Sequence, residues 1–228
     1  MAYILLIETA TEVCSVALAQ DNQILAIREN REANNHTAFL TLFIQELLTE
    51  TGLKMSDLDA VAVSKGAGSY TGLRVGFSVA KGICYAVNKP IILISTLQSI
   101  AWAMQQKVEN PSDYLYFPAI DARRMDAYAA LYDSDFQAIK PVECYTLTNN
   151  LLANYDKKII IGGNAAEKYK PLLPNSEQFV FSPIIHNSAA HLVGLAQQAF
   201  EKKQFEDVAY CEPFYLKPPF ATVAKPIW

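Results

Sequence analysis

Residues 64–76, SKGAGSYTGLRVG, set Gly66, Gly68, Gly72 and Gly76 directly after an apolar run. Backbone of this kind can wrap an anion, because without a Cβ several N–H groups converge on a phosphate unhindered. The stretch lacks the Lys-Ser/Thr ending of a P-loop, so it places no ammonium on β- and γ-phosphates in that manner. Nor is it a G-x-S-x-G nucleophile elbow, since Ser69 is followed by Tyr70 and Thr71 before Gly72. Asp121, Asp126 and Asp133 would do acid–base work if they converged in a cleft, and are otherwise ordinary strand-end and turn acids. The pair Arg123-Arg124 suits either a phosphate or an ion-paired turn with Asp121 and Asp126, and both readings stand. His36, His186 and His191 are the histidines; His186 and His191 are five residues apart, with no cysteine or third histidine beside them, so no metal site is expected. Cys14, Cys84, Cys144 and Cys211 form no C-x-x-C and read as reduced thiols.

The chain that must position these groups has 228 residues, 51% of them hydrophobic and 18% charged, enough for one large core or two small ones. Its net charge of −4 provides no general attraction to nucleic acid, so a partner would supply much of any such contact. The apolar run at 3–7 is interrupted by Glu8 and has no basic flank, which fits neither a signal peptide nor a membrane span; a cytoplasmic, non-membrane protein is expected.

Residues 3–7, 13–19 and 24–28 read as a three-stranded meander, turning at Asp21-Asn22. A helix follows, with Phe39, Leu40, Phe43, Ile44, Leu47 and Leu48 on one stripe, Asn35 as its cap and Gly52 as its end. Then come a buried strand at 60–64, the glycine loop, a helix over 73–87 and a strand at 91–94. This order suits an α/β fold, a mixed sheet covered by helices.

The second half repeats the first. Ile7-Glu8 overlies Ile120-Asp121, and Val16-Ala17-Leu18 overlies Ala129-Ala130-Leu131, both 113 residues apart. Further on, VAVSKGAG at 61–68 finds its counterpart in IIIGGNAA at 159–166. Such a duplication, each copy opening on a strand that ends in an acid, resembles the actin-like, ribonuclease H-like (ASKHA) superfamily. The resemblance implies a two-lobed α/β fold of duplicated mixed sheets, with an N-terminal lobe at 1–108 and a C-terminal lobe at 109–228. The tail after 203 is expected to pack back on the first lobe. It also implies a reduced interlobe cleft whose nucleotide contacts would fall on Thr9, Ser69, Tyr70, Thr71, Asp121, Gly162 and Gly163. Glu8 stands where an aspartate is common, which departs from the metal geometry of that superfamily.

ETATEVCSVAL, GAGSYTGLRVGFSVAKG, AIDARRMDAYAALY and CEPFYLKP together resemble the TsaB family, also called YeaZ, across nearly the whole chain. The resemblance implies a non-catalytic paralogue of TsaD, the transferase that makes threonylcarbamoyladenosine in bacterial transfer RNA. TsaD-type chains carry H-x-x-x-H just after the strand equivalent to 91–94, and Thr96 and Ile100 hold those places here. The resemblance therefore implies no catalytic residue, cofactor or metal in this chain, ATP, ADP and metal belonging to partner subunits. The implied partners are the TsaD-type paralogue, a TsaE-type ATPase and, through the complex, transfer RNA, with a homodimer forming when the paralogue is absent.

Small residues recur every four places at Gly68, Gly72, Gly76, Ala80 and Cys84. They suit the close approach of a partner helix or the seating of this helix on its own sheet. The first use, combined with the apolar stripe of the preceding helix, predicts an interface of His36, Phe39, Leu40, Phe43, Leu47, Gly72, Leu73, Gly76 and Ala80. The competing function is an independent actin-fold small-molecule kinase or metal-dependent hydrolase using Asp121.

Overall fold

The first strand, β1 (Tyr3–Glu8), is apolar along its length instead of alternately, the pattern of a strand covered on both faces. The computed structural model, which describes residues 1–32, 36–174 and 176–217, places it at the centre of a five-stranded sheet. β2 (Cys14–Gln20) and β3 (Gln23–Asn30) extend that sheet antiparallel on one side, and β4 (Ala60–Gly66) and β5 (Ile91–Ser95) extend it parallel on the other. A second sheet has the same connectivity. There β6 (Tyr114–Asp121) is central, β7 (Asp126–Tyr132) and β8 (Ala138–Thr146) are antiparallel to it, and β9 (Lys158–Gly162) and β10 (Phe179–Phe181) are parallel. The constant offset of the repeat slips by one residue in pairing: Ile7 faces Val16, but Ile120 faces Tyr128 and not Ala129.

Helices cover these sheets unevenly. α1 (His36–Thr51) and α2 (Tyr70–Val87) lie on one face of the first sheet, where Leu40, Phe43, Leu47, Phe77 and Cys84 join Leu5, Ile7, Val16 and Val63. Ser69 caps α2 by accepting the Gly72 N–H at 3.3 Å, so the helix begins three residues earlier than the expected 73. Gly52, at φ +70°, follows α1, while the predicted cap Asn35 lies outside the described residues.

Two helices cross the boundary expected at 108/109. α3 (Thr96–Gln105) follows the first sheet yet buries Leu97, Ile100 and Met104 against Tyr116, Ile120 and Tyr132 of the second. α5 (Val193–Glu201), which follows the second sheet, packs with Leu192, Val193 and Ala196 on Ile4, Leu6, Ala62 and Ile92 of the first. Each sheet thus has one face completed by the other half of the chain. The single-turn helix α4 (Ala166–Tyr169) and the segment around Leu147 and Leu152 close the remaining face of the second sheet. After Lys203 the chain runs along the first lobe: Glu206 N–H donates to Ile91 O, Lys81 Nζ holds Ala209 O and Cys211 O, and Phe214 N–H donates to Lys65 O. All four cysteines are free thiols. Among the described residues no helix is long and apolar enough to cross a membrane.

Candidate functional site

The two central strands end facing a cleft of about 620 Å3 between the sheets. On the first lobe it is lined by the β1–β2 hairpin at Ala10–Glu12 and by Ser69, Tyr70 and Thr71 at the start of α2; on the second, by Asp121, Arg123, Tyr128 and Asn164. The repeat-related acids at the strand ends have opposite environments. Glu8 is fully buried beneath the hairpin, with Oε1 accepting the Ala10 N–H at 2.6 Å and the Ser64 hydroxyl at 3.0 Å. Burial pushes its carboxyl up to about 7 against these hydrogen bonds. The nearby Asn187 carboxamide favours the carboxylate, although Glu8 Oε2 and both Asn187 side-chain polar atoms lack a full hydrogen bond among the described residues.

Asp121, by contrast, is half exposed and tied down. Its Oδ1 accepts the Arg123 N–H at 2.6 Å and Lys168 Nζ at 2.7 Å. Its own N–H donates to Asn164 Oδ1 at 2.8 Å; Asn164 Nδ2 donates to Glu12 Oε2 at 2.9 Å; and Glu12 Oε1 meets His186 Nδ1 at 3.2 Å. A polar chain therefore crosses from one lobe to the other at the cleft. Asp126 pairs with Lys217 at 2.9 Å and accepts the Thr146 hydroxyl at 2.8 Å, which together hold its carboxyl below the usual range. Asp133 accepts the backbone N–H groups of Asp135 and Gln137, so it shapes a turn. Arg123 and Arg124 occupy that kind of turn too, both left-handed at φ 71° and 50°.

Several sequence expectations need correction here. Of the nucleotide contacts, Ser69, Tyr70, Thr71 and Asp121 line the cleft, while Thr9 is fully buried. Gly162 lies under Met104 and Ile184, and Gly163 against Ala119, with no room for a Cβ at either. Glu8, the first of the two strand-end acids, is likewise enclosed under the hairpin and does not line the cleft.

The interface expectation fails on the same packing grounds. A Cβ on Gly68 would collide with Ala10 O, on Gly72 with Thr9 O, and on Gly76 with Thr9 Oγ1, so this stripe seats α2 on the end of β1. Leu73, Ala80, Leu40, Phe43 and Leu47 are buried in the same core and are not available to another helix. Phe39 is partly buried and stacks on Phe43, and His36 spends its Nε2 on Thr11 O at 2.9 Å.

What these helices present outward is a different set. Thr41, Gln45 and Leu48 of α1, Val79 and Ile83 of α2, and Met55 border an apolar groove of about 310 Å3. Beside it Ser78, Gly82, Tyr85 and Ala86 are exposed, and nothing lies within 4 Å of where a Gly82 Cβ would be. The sequence signal for this face was a second four-residue series, Ser78, Gly82 and Ala86, displaced by two from the buried one.

The positions of Thr96 and Ile100 are equally informative. Thr96 is fully buried with its Oγ1 accepting the Gly66 N–H at 3.1 Å, and Ile100 is fully buried against the second sheet. His191 is partly buried, its ring pushed down to about 4 by loss of hydration. Among the described residues no three His, Cys, Asp or Glu side chains are arranged to hold a metal.

Duplicated mixed sheets, exchanged helices and an interlobe cleft define a two-lobed α/β protein of the actin-like class. YeaZ from Pseudomonas aeruginosa shares this fold, with a TM-score of 0.83 at 23% identity over 95% of this chain and 100% of that one. The family model of TsaD, tRNA N6-adenosine threonylcarbamoyltransferase, matches residues 24–219. The Escherichia coli tRNA threonylcarbamoyladenosine biosynthesis protein TsaB is 38% identical over 138 residues, 60% of this chain, and the match spans only 57% of that relative's length. The Bacillus subtilis protein of the same name is 26% identical over 94% of this chain and 93% of its own. This chain belongs to the TsaB family.

Proposed function

We propose that this chain is a non-catalytic subunit in the formation of N6-threonylcarbamoyladenosine on transfer RNA, and that it acts by docking a TsaD-type paralogue on the outward face of α1 and α2. One observation carries the reading. Where TsaD-type chains resemble one another in H-x-x-x-H, this chain commits both positions to its own fold, Thr96 to the Gly66 N–H and Ile100 to the core between α3 and the second sheet. Neither side chain can ligate a metal, and imidazoles could not be accommodated there without displacing that packing.

The docking half of the proposal rests on the groove between α1 and α2, where Ile44, Leu48, Leu53, Met55, Val79 and Ile83 supply the apolar walls, and on Gly82 and Ser78, which let a second helix come close. With the paralogue absent, the same face would serve a homodimer, since a two-fold contact needs only a self-complementary patch. A TsaE-type ATPase and transfer RNA would join the assembled pair, in the cytoplasm, with nucleotide and metal held by the partners. A stand-alone kinase or hydrolase would use Asp121 as its base, and here one oxygen of that carboxylate, Oδ1, is held by both Lys168 and the Arg123 N–H. Mixing experiments test the proposal: modified adenosine should form when the chain is combined with its paralogue and the rest of the machinery, and should not form with this chain alone.

A further inference from the structure

The rim of the interlobe cleft carries a belt of cations and aromatic rings that no step above uses. On the first lobe the Arg74 guanidinium lies 4.6 Å from the centroid of the Tyr70 ring, and Tyr70 packs on Tyr215 with centroids 4.7 Å apart. Two residues beyond Tyr215, Lys217 crosses to Asp126 of the second lobe, so about 7 Å of backbone at most separates the aromatic stack from that ion pair. Next to it stands the turn of Arg123 and Arg124, whose left-handed backbone is pinned by Lys168 Nζ on Arg124 O and by the Asp121 carboxylate on the Arg123 N–H.

Two of the acids near this belt are already matched, Asp121 by Lys168 and Asp126 by Lys217, while Glu12 is hydrogen-bonded to Asn164 and His186. Arg74 and Arg124 are exposed, and neither has a carboxylate partner among the described residues. In a chain of net charge −4, exposed guanidiniums beside paired tyrosines are the chemistry of a polyanion with planar bases.

We propose that Arg74, one turn of α2 beyond the cleft-lining Tyr70, and Arg124, next to the cleft-lining Arg123, bind the phosphodiester backbone of an RNA strand, with the Tyr70–Tyr215 pair beside one of its bases. The proposal rests on the reading above that transfer RNA is the substrate of the assembly. Guanidinium forks take phosphate oxygens bidentately, and an Arg already stacked on an aromatic ring loses little freedom in doing so. The rigid turn presents Arg124 at a fixed place.

The test measures binding of labelled transfer RNA to the full chain mixed with its paralogue, at several salt concentrations. The double variant R74A/R124A should weaken RNA binding about tenfold and reduce the log–log salt slope by roughly one to two, since each phosphate contact contributes about 0.7–0.9. Y70A should weaken binding with the slope unchanged. Lys202, exposed at the end of α5, provides the control, and K202A should bind like the parent. Affinity for the paralogue, measured separately without RNA, should stay the same in all variants; loss of pairing in the parent chain would instead count against the docking reading. Unchanged RNA affinity and slope in R74A/R124A, an equal loss in K202A, or displacement of the RNA by stoichiometric ATP would each overturn the proposal, the last by making the belt a site for a free nucleotide.

Discussion

Trp102 of α3 lies directly across Gly194 of α5, so close that a Cβ at residue 194 would stand 2.5 Å from Trp102 Cζ2. This is the point where the two exchanged helices meet, α3 serving the second sheet and α5 the first. The bare backbone of Gly194 is what lets the indole reach the core under the first sheet. Replacing Gly194 with Val should cost about 1–3 kcal/mol by overpacking and lower the melting temperature by several degrees. Combining it with Trp102→Ala should recover part of that loss, and a fully additive double variant would show that the contact does not set the helix spacing.

Gly76 and Gly82 sit on the same helix and should behave oppositely. Gly76→Leu drives a side chain into Thr9 at the end of β1, and the variant should fail to fold or melt far below the parent. Gly82→Leu meets open space and should leave the melting temperature nearly unchanged while blocking the face beside the apolar groove. Circular dichroism together with a titration against the paralogue separates the two effects.

Glu8, fully buried, and His191, partly buried, make stability depend on pH in opposing directions. Glu8 is raised from 4.5 to about 7, so the folded chain holds a proton that the unfolded chain releases between those values, and its contribution, present in full below about 4.5, is lost as pH rises through 7. His191 is lowered from 6.5 to about 4, so its contribution is present above 6.5 and is lost as pH falls through 4. Each effect is of the order of 3 kcal/mol, and in the parent chain they largely offset one another. Urea unfolding should therefore show Glu8→Gln gaining stability from pH 4.5 to 6.5 and His191→Phe losing it across the same window. A parallel slope in both variants would contradict this assignment.

The Thr96 hydroxyl is the acceptor for a buried Gly66 N–H, a role that valine cannot fill. Thr96→Val should cost about 1–3 kcal/mol and Thr96→Ser much less, because the penalty comes from an unsatisfied donor and not from lost volume. Chemical denaturation of the three chains checks the order.

The order of strands and helices along the first half was legible from apolar runs and turn residues, since strands buried on both faces leave long uninterrupted signals such as YILLI. The direction in which the glycine stripe of α2 points was not. A series of small residues allows close approach without naming what approaches, and Thr9 and Ala10, which fill it, come from a loop more than fifty residues earlier in the chain. The exchange of α3 and α5 was hidden for a similar reason: each helix carries apolar residues suited to either sheet, and only packing decides between them. At the cleft, Asp121 could be picked out by its place in the repeat, whereas the links through Glu12, Asn164 and His186 join residues over 150 apart and leave no local trace.

On the proposed function, this chain assists a transferase without performing the transfer. This is tested most directly by quantifying threonylcarbamoyladenosine in transfer RNA after incubation with the purified components. Full modification with the parent chain plus its paralogue and the remaining machinery, abolished by Gly82→Leu in a folded protein, and no modification when the paralogue is omitted, is the predicted outcome. Modified adenosine formed by this chain without the paralogue would contradict the account.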